Sequence, residues 1–160
     1  MNKTIAFDMD GTLYDFYGVP NWLESLQAES TEPYDLARPM VNMREFNRLG
    51  KVLTSQGYKI VIVSWLAKNS RKEYDKLVRA SKKQVLKRDI DFELEKIHLI
   101  KYGANKRYRA KAKYLFDDNE QNIKEWIGRK KDRVGFLCDK YDHEYNNKLI
   151  IGALNQLARG

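Results

Sequence analysis

Cysteine, proline and histidine are scarce in this sequence: one cysteine, three prolines and two histidines occur among 160 residues. Because Cys138 has no partner, no intramolecular disulfide can form, and its place in the apolar run 134–138 predicts a small buried core residue. His98 and His143 lack the spacing of a metal site or a catalytic triad, so we expect structural or surface positions for both.

Long apolar runs are also missing. No stretch approaches the roughly 20 residues that cross a bilayer, and no basic segment followed by an apolar one precedes the first strand pattern. These absences predict a soluble, unprocessed protein that does not bind membranes. The single cysteine fits a reducing compartment, so we expect a cytoplasmic location.

The length suits one domain over residues 1–160, with a core large enough to stand without a disulfide or a structural metal. No internal repeat is visible. The net charge of +8 and the pI near 9.4 indicate attraction to anionic small molecules or polyanions. The oligomeric state is left open.

Apolar runs alternate with amphipathic segments along the chain. Strands followed by helices predict parallel βαβ units with right-handed crossovers. The expected fold class is therefore α/β: a three-layer α/β/α, Rossmann-like fold with a parallel five-stranded sheet. The predicted strands are 5–7, 59–63, 97–100, 113–116 and 133–138; the predicted helices are 21–28, 42–56, 71–88, 119–127 and 144–157, with a loop at 30–39.

Basic residues concentrate in two places. Along the helix 71–88 an inner apolar stripe is predicted, and the lysines and arginines, Lys82 among them, are expected on a solvated outer face. The second place is the segment 101–113, which contains no acidic residue. That segment either collects a nucleotide or nucleic-acid backbone or is a generic solubilising surface. The predicted inner stripe of the helix consists of Tyr74, Leu77, Val78, Ser81, Val85 and Leu86.

Polar side chains follow four of the predicted strands. Asp8 and Asp10 end the first strand and point the same way, since alternate residues of a strand share a face. The carboxyl ends of parallel strands meet at one edge of a sheet, so these side chains are expected to converge. Clustered carboxylates need a counter-charge, and Mg²⁺ prefers hard oxygen ligands. If Asp8 and Asp10 are considered without the other residues, a solvated Asp-Gly turn is as good an interpretation as a metal site. The converging residues are Asp8, Asp10, Ser64, Lys106, Asp117 and Asp118.

The order of these motifs resembles that of the haloacid dehalogenase superfamily of phosphohydrolases. The resemblance spans about residues 3–138. It is carried by Phe7-Asp8-Met9-Asp10-Gly11-Thr12, by Ile60-Val-Ile-Val-Ser64, by Lys106 in Tyr102-Gly-Ala-Asn-Lys106, and by Leu115-Phe-Asp117-Asp118-Asn119.

The resemblance, together with the chemistry of the residues, implies a Mg²⁺-dependent phosphomonoester hydrolase. Asp8 is the expected nucleophile, which forms an aspartyl-phosphate, and Asp10 the expected general acid and base. An acid is needed at Asp10 for phosphoesters but not for carbon–halogen bonds, so a phosphatase is favoured. The expected metal ligands are Asp8, the backbone carbonyl of Asp10, and Asp117 or Asp118; the expected phosphate-binding residues are Ser64, Lys106 and Thr12.

Three assignments leave alternatives open. Lys101 competes with Lys106 as the phosphate-site lysine, although the glycine-containing turn before Lys106 fits the motif better. Asn122 stands where many relatives carry a second acid, and it is either an orienter of the site or an ordinary helix residue. Without the other motifs, Ser64 is better read as a serine of a turn at a strand end.

The insert at about 16–41 resembles a small, mostly helical cap. Candidate substrate contacts are Tyr14, Tyr17 and Trp22 in or beside the cap, and Arg107 in the basic segment. The aromatic residues either stack on a nucleobase or pack the insert onto the domain. The expected substrate is a phosphorylated small molecule, and a nucleotide is favoured. The alternatives are a phosphatase that processes DNA or RNA ends, and a non-catalytic binding module.

Overall fold

The computed structural model describes residues 2–160, and the predicted α/β fold is confirmed there. Strands and helices alternate as expected, because short apolar runs rich in β-branched and aromatic residues are separated by amphipathic segments. In chain order the elements are β1 (Thr4–Phe7), α1 (Trp22–Gln27), α2 (Glu32–Leu36), α3 (Met43–Ser55), β2 (Lys59–Trp65), α4 (Lys72–Asp89), β3 (Lys96–Ile100), α5 (Arg107–Ala110), β4 (Tyr114–Asp117), α6 (Glu120–Ile127), β5 (Val134–Leu137) and α7 (His143–Arg159).

The five strands of this region form one parallel sheet in the order β3-β2-β1-β4-β5. β1 is central: Phe7 is in register with Ile62 of β2 on one side and with Phe116 of β4 on the other. The chain runs outward from β1 to β3 and then returns to the other side of β1. Such a reversal opens a crevice at the carboxyl ends of the strands, where α/β proteins bind their ligands.

Side chains that alternate along the strands divide the core into two layers. Ile5 and Phe7 of β1 belong to the larger cluster, which includes residues of α3, α4 and α7. Ala6 belongs to the smaller cluster, which includes Ala110 of α5 and Trp126 of α6. Helices therefore cover both faces of the sheet, which is the predicted three-layer arrangement. Cys138 is a buried free cysteine, as expected.

The segment after β1 forms a closed insert that contains α1 and α2. Its two ends are joined by backbone hydrogen bonds. The amide of Asp15 donates to the carbonyl of Arg38 at 2.7 Å, and the amide of Met40 donates to the carbonyl of Leu13 at 2.7 Å. The predicted limits of 16–41 lie next to this closure. The insert is therefore fixed at its base, beside the carboxyl end of β1.

Two predicted loops contain short helices. α2 lies in the segment 30–39, with Pro33 in its first turn, where the missing amide hydrogen needs no helical partner. The two prolines of that segment had indicated a loop. α5 lies in the basic segment after Gly103. β2 also continues two residues beyond the predicted end, through the buried Ser64 to Trp65.

The inner face of α4 differs from the prediction at two positions. Leu77, expected inside, is 55% exposed, and Lys82, expected on the solvated face, is fully buried. Lys82 lies one turn after Val78 and three residues before Val85, so it belongs to the inner face by helical geometry. Within residues 2–160, no helix is both long enough and apolar enough to cross a membrane.

Candidate active site

Asp8 lies at the floor of the crevice, directly after β1. Its amide donates to the carbonyl of Phe116 at 2.9 Å, which continues the β1–β4 pairing by one residue and fixes its backbone. The Nζ of Lys106 lies 2.9 Å from its Oδ1, and the hydroxyl of Thr12 donates to its Oδ2 at 3.2 Å. Asp8 is thus buried and held at both carboxylate oxygens.

The carboxylates of Asp8, Asp117 and Asp118 converge on one point. One oxygen from each lies within 4.8 Å of the others. Lys106 contacts two of the three, because its Nζ also lies 2.7 Å from Oδ2 of Asp117. When all three carboxylates are ionised, as metal ligands are, the single ammonium of Lys106 leaves two negative charges unbalanced. Hard oxygen donors with that residual charge fit a divalent cation such as Mg²⁺.

Asp117 is oriented by the start of α6. The amide of Asn119 donates to Oδ1 of Asp117 at 2.9 Å, and the side-chain amide of Asn122 donates to its Oδ2 at 3.1 Å. Asn119 also caps α6 by accepting a hydrogen bond from the amide of Asn122. Asn122 is therefore an orienter of Asp117, one of the two roles left open by the sequence.

Burial and mutual repulsion raise the pKa values of two acids of this cluster, Asp117 and Asp118. Burial raises the pKa of Asp117 above its usual range, and the neighbouring charge of Asp8 adds to the effect. Burial likewise raises the pKa of Asp118, together with the charges of Asp8 and Asp117. For Lys106, burial alone would lower the pKa, but Asp117 and Asp8 outweigh it and raise the pKa. The Lys106 ammonium therefore stays positively charged, and the negative charge that it does not balance lies on the carboxylates.

Asp10 points into the same crevice but contacts a different cation. Its Oδ2 lies 2.9 Å from Nζ of Lys82, and its side chain is 21% exposed. Burial raises the pKa of Asp10 against the opposing charge of Lys82. A carboxyl group with a raised pKa holds a proton near neutrality more readily than a solvated one, as a general acid requires.

The predicted phosphate-binding residues divide into two groups. Ser64 and Lys106 both border the crevice, whereas Lys101 is not among the residues that line it. Thr12 is fully buried, and its hydroxyl is used by Asp8. The structure therefore brings Ser64 and Lys106 to the site and places Thr12 behind Asp8; the phosphate-binding role of all three stays a prediction.

A cavity of about 280 Å³ opens above these residues, under the insert. The insert contributes Phe16, Tyr17, Trp22 and Tyr34 to its wall. Tyr17 and Trp22 are therefore placed where the sequence predicted substrate contacts. Tyr14 is not: it is buried beneath the insert, and its hydroxyl donates to Oδ2 of Asp89 at 3.0 Å.

Arg107 also lies away from the cavity. It borders a separate basic groove with Lys111, Lys113 and Arg133, and its guanidinium lies over the ring of Tyr108, 5.0 Å from the ring centre. α5 accounts for this separation: Lys106 precedes the helix and faces the acids, whereas Arg107 starts the helix. Of the basic residues of segment 101–113, only Lys106 lines the cavity, so the segment does not form a continuous basic surface leading into it.

Two polar residues that hold the site in place, Lys82 and Asn146, were not predicted by the sequence analysis. Asn146 on α7 is fully buried; its side-chain amide donates to the carbonyls of Gly11 and Thr12 at 3.2 and 3.4 Å, and its Oδ1 accepts from the amide of Asp139 at 2.7 Å. It therefore holds the turn that follows Asp10. The available signal was its spacing from Ile150 and Leu154, which places it in the apolar stripe of α7.

Replacing Asn146 by alanine should lower the free energy of unfolding by about 1–3 kcal/mol, because two buried carbonyls and one amide lose their partner. Urea denaturation measures this change. Lys148→Ala is the matched control, since Lys148 is exposed and should contribute almost nothing. Equal stability of the two variants would contradict a structural role for Asn146.

No protein-family model and no curated protein matches the chain. The resemblance to the haloacid dehalogenase superfamily therefore rests on the motifs alone.

Proposed function

We propose that this protein is a Mg²⁺-dependent phosphomonoester hydrolase of the haloacid dehalogenase type that acts through an aspartyl-phosphate. The observation that carries the proposal is the convergence of Asp8, Asp117 and Asp118 within 4.8 Å, with Lys106 bridging two of them. A protein that only binds a partner has no need of such a self-repelling cluster. The motif order along the chain supports the same assignment.

The residues that would hold Mg²⁺ are Asp8, Asp117 and Asp118. Their donor set fits the ion, since all offer carboxylate oxygens and, once ionised, they leave two negative charges after Lys106 is counted. When bound, the ion neutralises the charge between an anionic nucleophile and an anionic phosphate.

Asp8 performs the first half of the reaction. A carboxylate oxygen of Asp8 attacks phosphorus, a new oxygen–phosphorus bond forms, and the bond from phosphorus to the leaving oxygen breaks. Asp10 gives its proton to that leaving oxygen, so the product departs as an alcohol. In the second half water attacks the same phosphorus, Asp10 takes a proton from it, and phosphate leaves with Asp8 restored.

Ser64 and Lys106 hold the phosphate in this scheme. Asp8 and Asp117 engage two of the three N–H donors of Lys106, which leaves one for a phosphate oxygen. Ser64 supplies a hydroxyl from the end of β2, the strand that pairs with β1.

We assign a nucleotide as the substrate class. Tyr17, Trp22 and Tyr34 from the insert, with Trp65 from β2, give the cavity an aromatic wall above the phosphate site. Stacking of a base on aromatic side chains is worth about 1–3 kcal/mol and tolerates different bases. The separate position of Arg107 gives no support to the alternative of a nucleic-acid end-processing phosphatase.

A substrate panel tests this function. With Mg²⁺ present, we expect phosphate release from an aryl phosphate and faster release from mononucleotides than from oligonucleotides that carry a terminal phosphate. The panel is run at two salt concentrations. Preference for the oligonucleotide with steep salt dependence would reject the nucleotide, and no release from any phosphoester would reject the hydrolase.

The pH dependence of stability tests the metal site. The raised pKa values of Asp117 and Asp118 mean that the folded, metal-free protein binds protons more tightly than the unfolded chain. The contribution of these two acids to the free energy of unfolding should therefore fall as the pH rises above the ordinary carboxyl range of about 4. Mg²⁺ binds the deprotonated acids, so the stabilisation it gives should grow over the same range.

Thermal unfolding at a series of pH values, with and without Mg²⁺, measures both trends. A Mg²⁺ effect that is absent, or equal at all pH values, would contradict the assignment of these acids as ligands. The variant Asp118→Asn is the matched comparison, and it should lose most of the Mg²⁺ effect.

A further inference from the structure

We propose that Lys82 is a positioning residue that orients the general acid Asp10 and the phosphate-binding hydroxyl of Ser64 at the same time. The inference rests on the proposed function, and it adds a residue from α4 that belongs to none of the motifs. It predicts a specific kinetic defect, not merely a loss of stability.

Lys82 is a buried lysine whose ammonium group is surrounded by hydrogen-bond acceptors. Its side chain is completely buried, and its Nζ donates to Oδ2 of Asp10 at 2.9 Å, to Oγ of Ser64 at 2.7 Å and to the carbonyl of Trp65 at 2.8 Å. The ring of Tyr34 lies on a further side, with its centre 5.0 Å from Nζ, and stabilises the charge. One ammonium thus joins α4, the end of β2, the insert and the turn after β1.

The donor count of Lys82 determines the direction of the Ser64 hydroxyl. An ammonium has three N–H donors and no acceptor, and all three are engaged. Oγ of Ser64 must therefore accept from Lys82. Its own O–H is directed away from Lys82, and Ser64 lines the cavity where a phosphate oxygen would accept the bond.

The contact between Lys82 and Asp10 affects the transfer of the proton to the leaving oxygen. Lys82 holds Oδ2, which leaves Oδ1 to face the leaving oxygen with the proton. Asp10 is partly exposed to the cavity on that side. Without Lys82, the carboxyl group can rotate, and the fraction of molecules in the reactive orientation falls.

Packing alone does not account for a lysine at this position. Its neighbours along the inner face of α4 are Val78 and Val85, and an apolar side chain would fill the same space without the cost of burying an ammonium. A methionine side chain has nearly the volume of the lysine stem and carries no hydrogen-bond donor. Lys82→Met is therefore the informative variant.

The first measurement is the dependence on the leaving group. 4-Nitrophenyl phosphate releases a weakly basic oxygen that needs little protonation, whereas an alkyl phosphate needs the acid. In Lys82→Met, kcat/KM for the alkyl phosphate should fall by roughly 10²-fold more than for 4-nitrophenyl phosphate. In the Asp10→Asn background the same substitution should not change that ratio further, because the acid is already absent.

The second measurement is the binding of inorganic phosphate by calorimetry, which does not require turnover. Lys82→Met and Ser64→Ala should weaken binding to a similar extent, and the double variant should be no weaker than either. Ser81→Ala is the matched control: Ser81 is buried on the same helix but bonds Asp35 of the insert. It should change neither the leaving-group ratio nor phosphate binding.

Each failure has a separate meaning. If the unmodified protein hydrolyses phosphoesters while Lys82→Met keeps its leaving-group ratio and its phosphate affinity, the positioning role is wrong and the hydrolase stands. Equal loss for all substrates with weaker folding, as judged by the melting temperature, would show a structural lysine and also overturn the proposal. If the unmodified protein neither turns over phosphoesters nor binds phosphate, both the function and the role of Lys82 are rejected.

Discussion

Replacing Asp8 by asparagine is expected to abolish phosphate release, by roughly 10⁴-fold or more in kcat, the scale of losing a catalytic nucleophile. The amide keeps the shape of the side chain but is not an anionic nucleophile. The fold should persist, because the substitution removes one of three carboxylates that repel one another. Phosphate release from an aryl phosphate, with Mg²⁺ present, measures the loss.

Asp15→Asn is the matched control for that variant. Asp15 is the next acid after Asp10, yet its carboxylate bonds the amide of Gly18 and lies 2.6 Å from Nε2 of His143, outside the cluster. The same isosteric change there should leave most activity. Full activity in Asp8→Asn would remove the covalent mechanism.

Removing the charge of Lys106 is expected to have the largest effect on stability. In Lys106→Met, the buried carboxylates of Asp8 and Asp117 lose their shared cation, which lay 2.9 and 2.7 Å away. Breaking a buried ion pair from one side costs about 3–5 kcal/mol, because uncompensated charges stay buried. Urea denaturation of the metal-free protein near neutral pH measures this cost.

The chemistry of the cluster gives that prediction two internal checks. The cost should shrink at acid pH, where the carboxylates are protonated, and Mg²⁺ should restore part of the stability by supplying positive charge. Lys101→Met is the control, since Lys101 is exposed at the end of β3 and should contribute little. A Lys106 variant as stable as the Lys101 variant would contradict the role of Lys106 as the counter-charge.

The sequence predicted the elements that have strong periodicity and one buried face. β1 and β2 are apolar runs, and α3 has its apolar residues at helical spacing between the cap residue Asn42 and Gly57. Such patterns depend on local geometry alone. The convergence of Asp8, Ser64, Lys106 and Asp117 also followed, because the ends of parallel strands share one edge.

What the sequence did not reveal depends on contacts between distant elements. Lys82 and Asn146 lie in the apolar stripes of α4 and α7, and each reaches the site from its own helix. Charged and amide side chains usually face solvent, so we predicted from its residue type that Lys82 lies on the outer face. The available signal was a polar residue at the helical spacing of the apolar residues. The reason for that residue becomes clear only from its partners in the folded protein.

The candidate substrate contacts show the same limit. Tyr14, Tyr17 and Arg107 lie close to the motifs in sequence, but proximity along the chain does not determine direction. Tyr17 faces the cavity, Tyr14 bonds Asp89 of α4 beneath the insert, and Arg107 points to another groove. The closure of the insert and the start of α5 decide these directions, and neither was predicted from local patterns.

Trapping of the intermediate tests the covalent mechanism most directly. The protein is mixed with Mg²⁺ and a rapidly hydrolysed phosphoester, quenched during turnover and treated with borohydride, which reduces an aspartyl-phosphate to homoserine. Peptide mass spectrometry then locates the change. The proposed mechanism predicts homoserine in place of Asp8 and of no other acid; active protein with no reduction at Asp8, or with reduction at another residue instead, would contradict it.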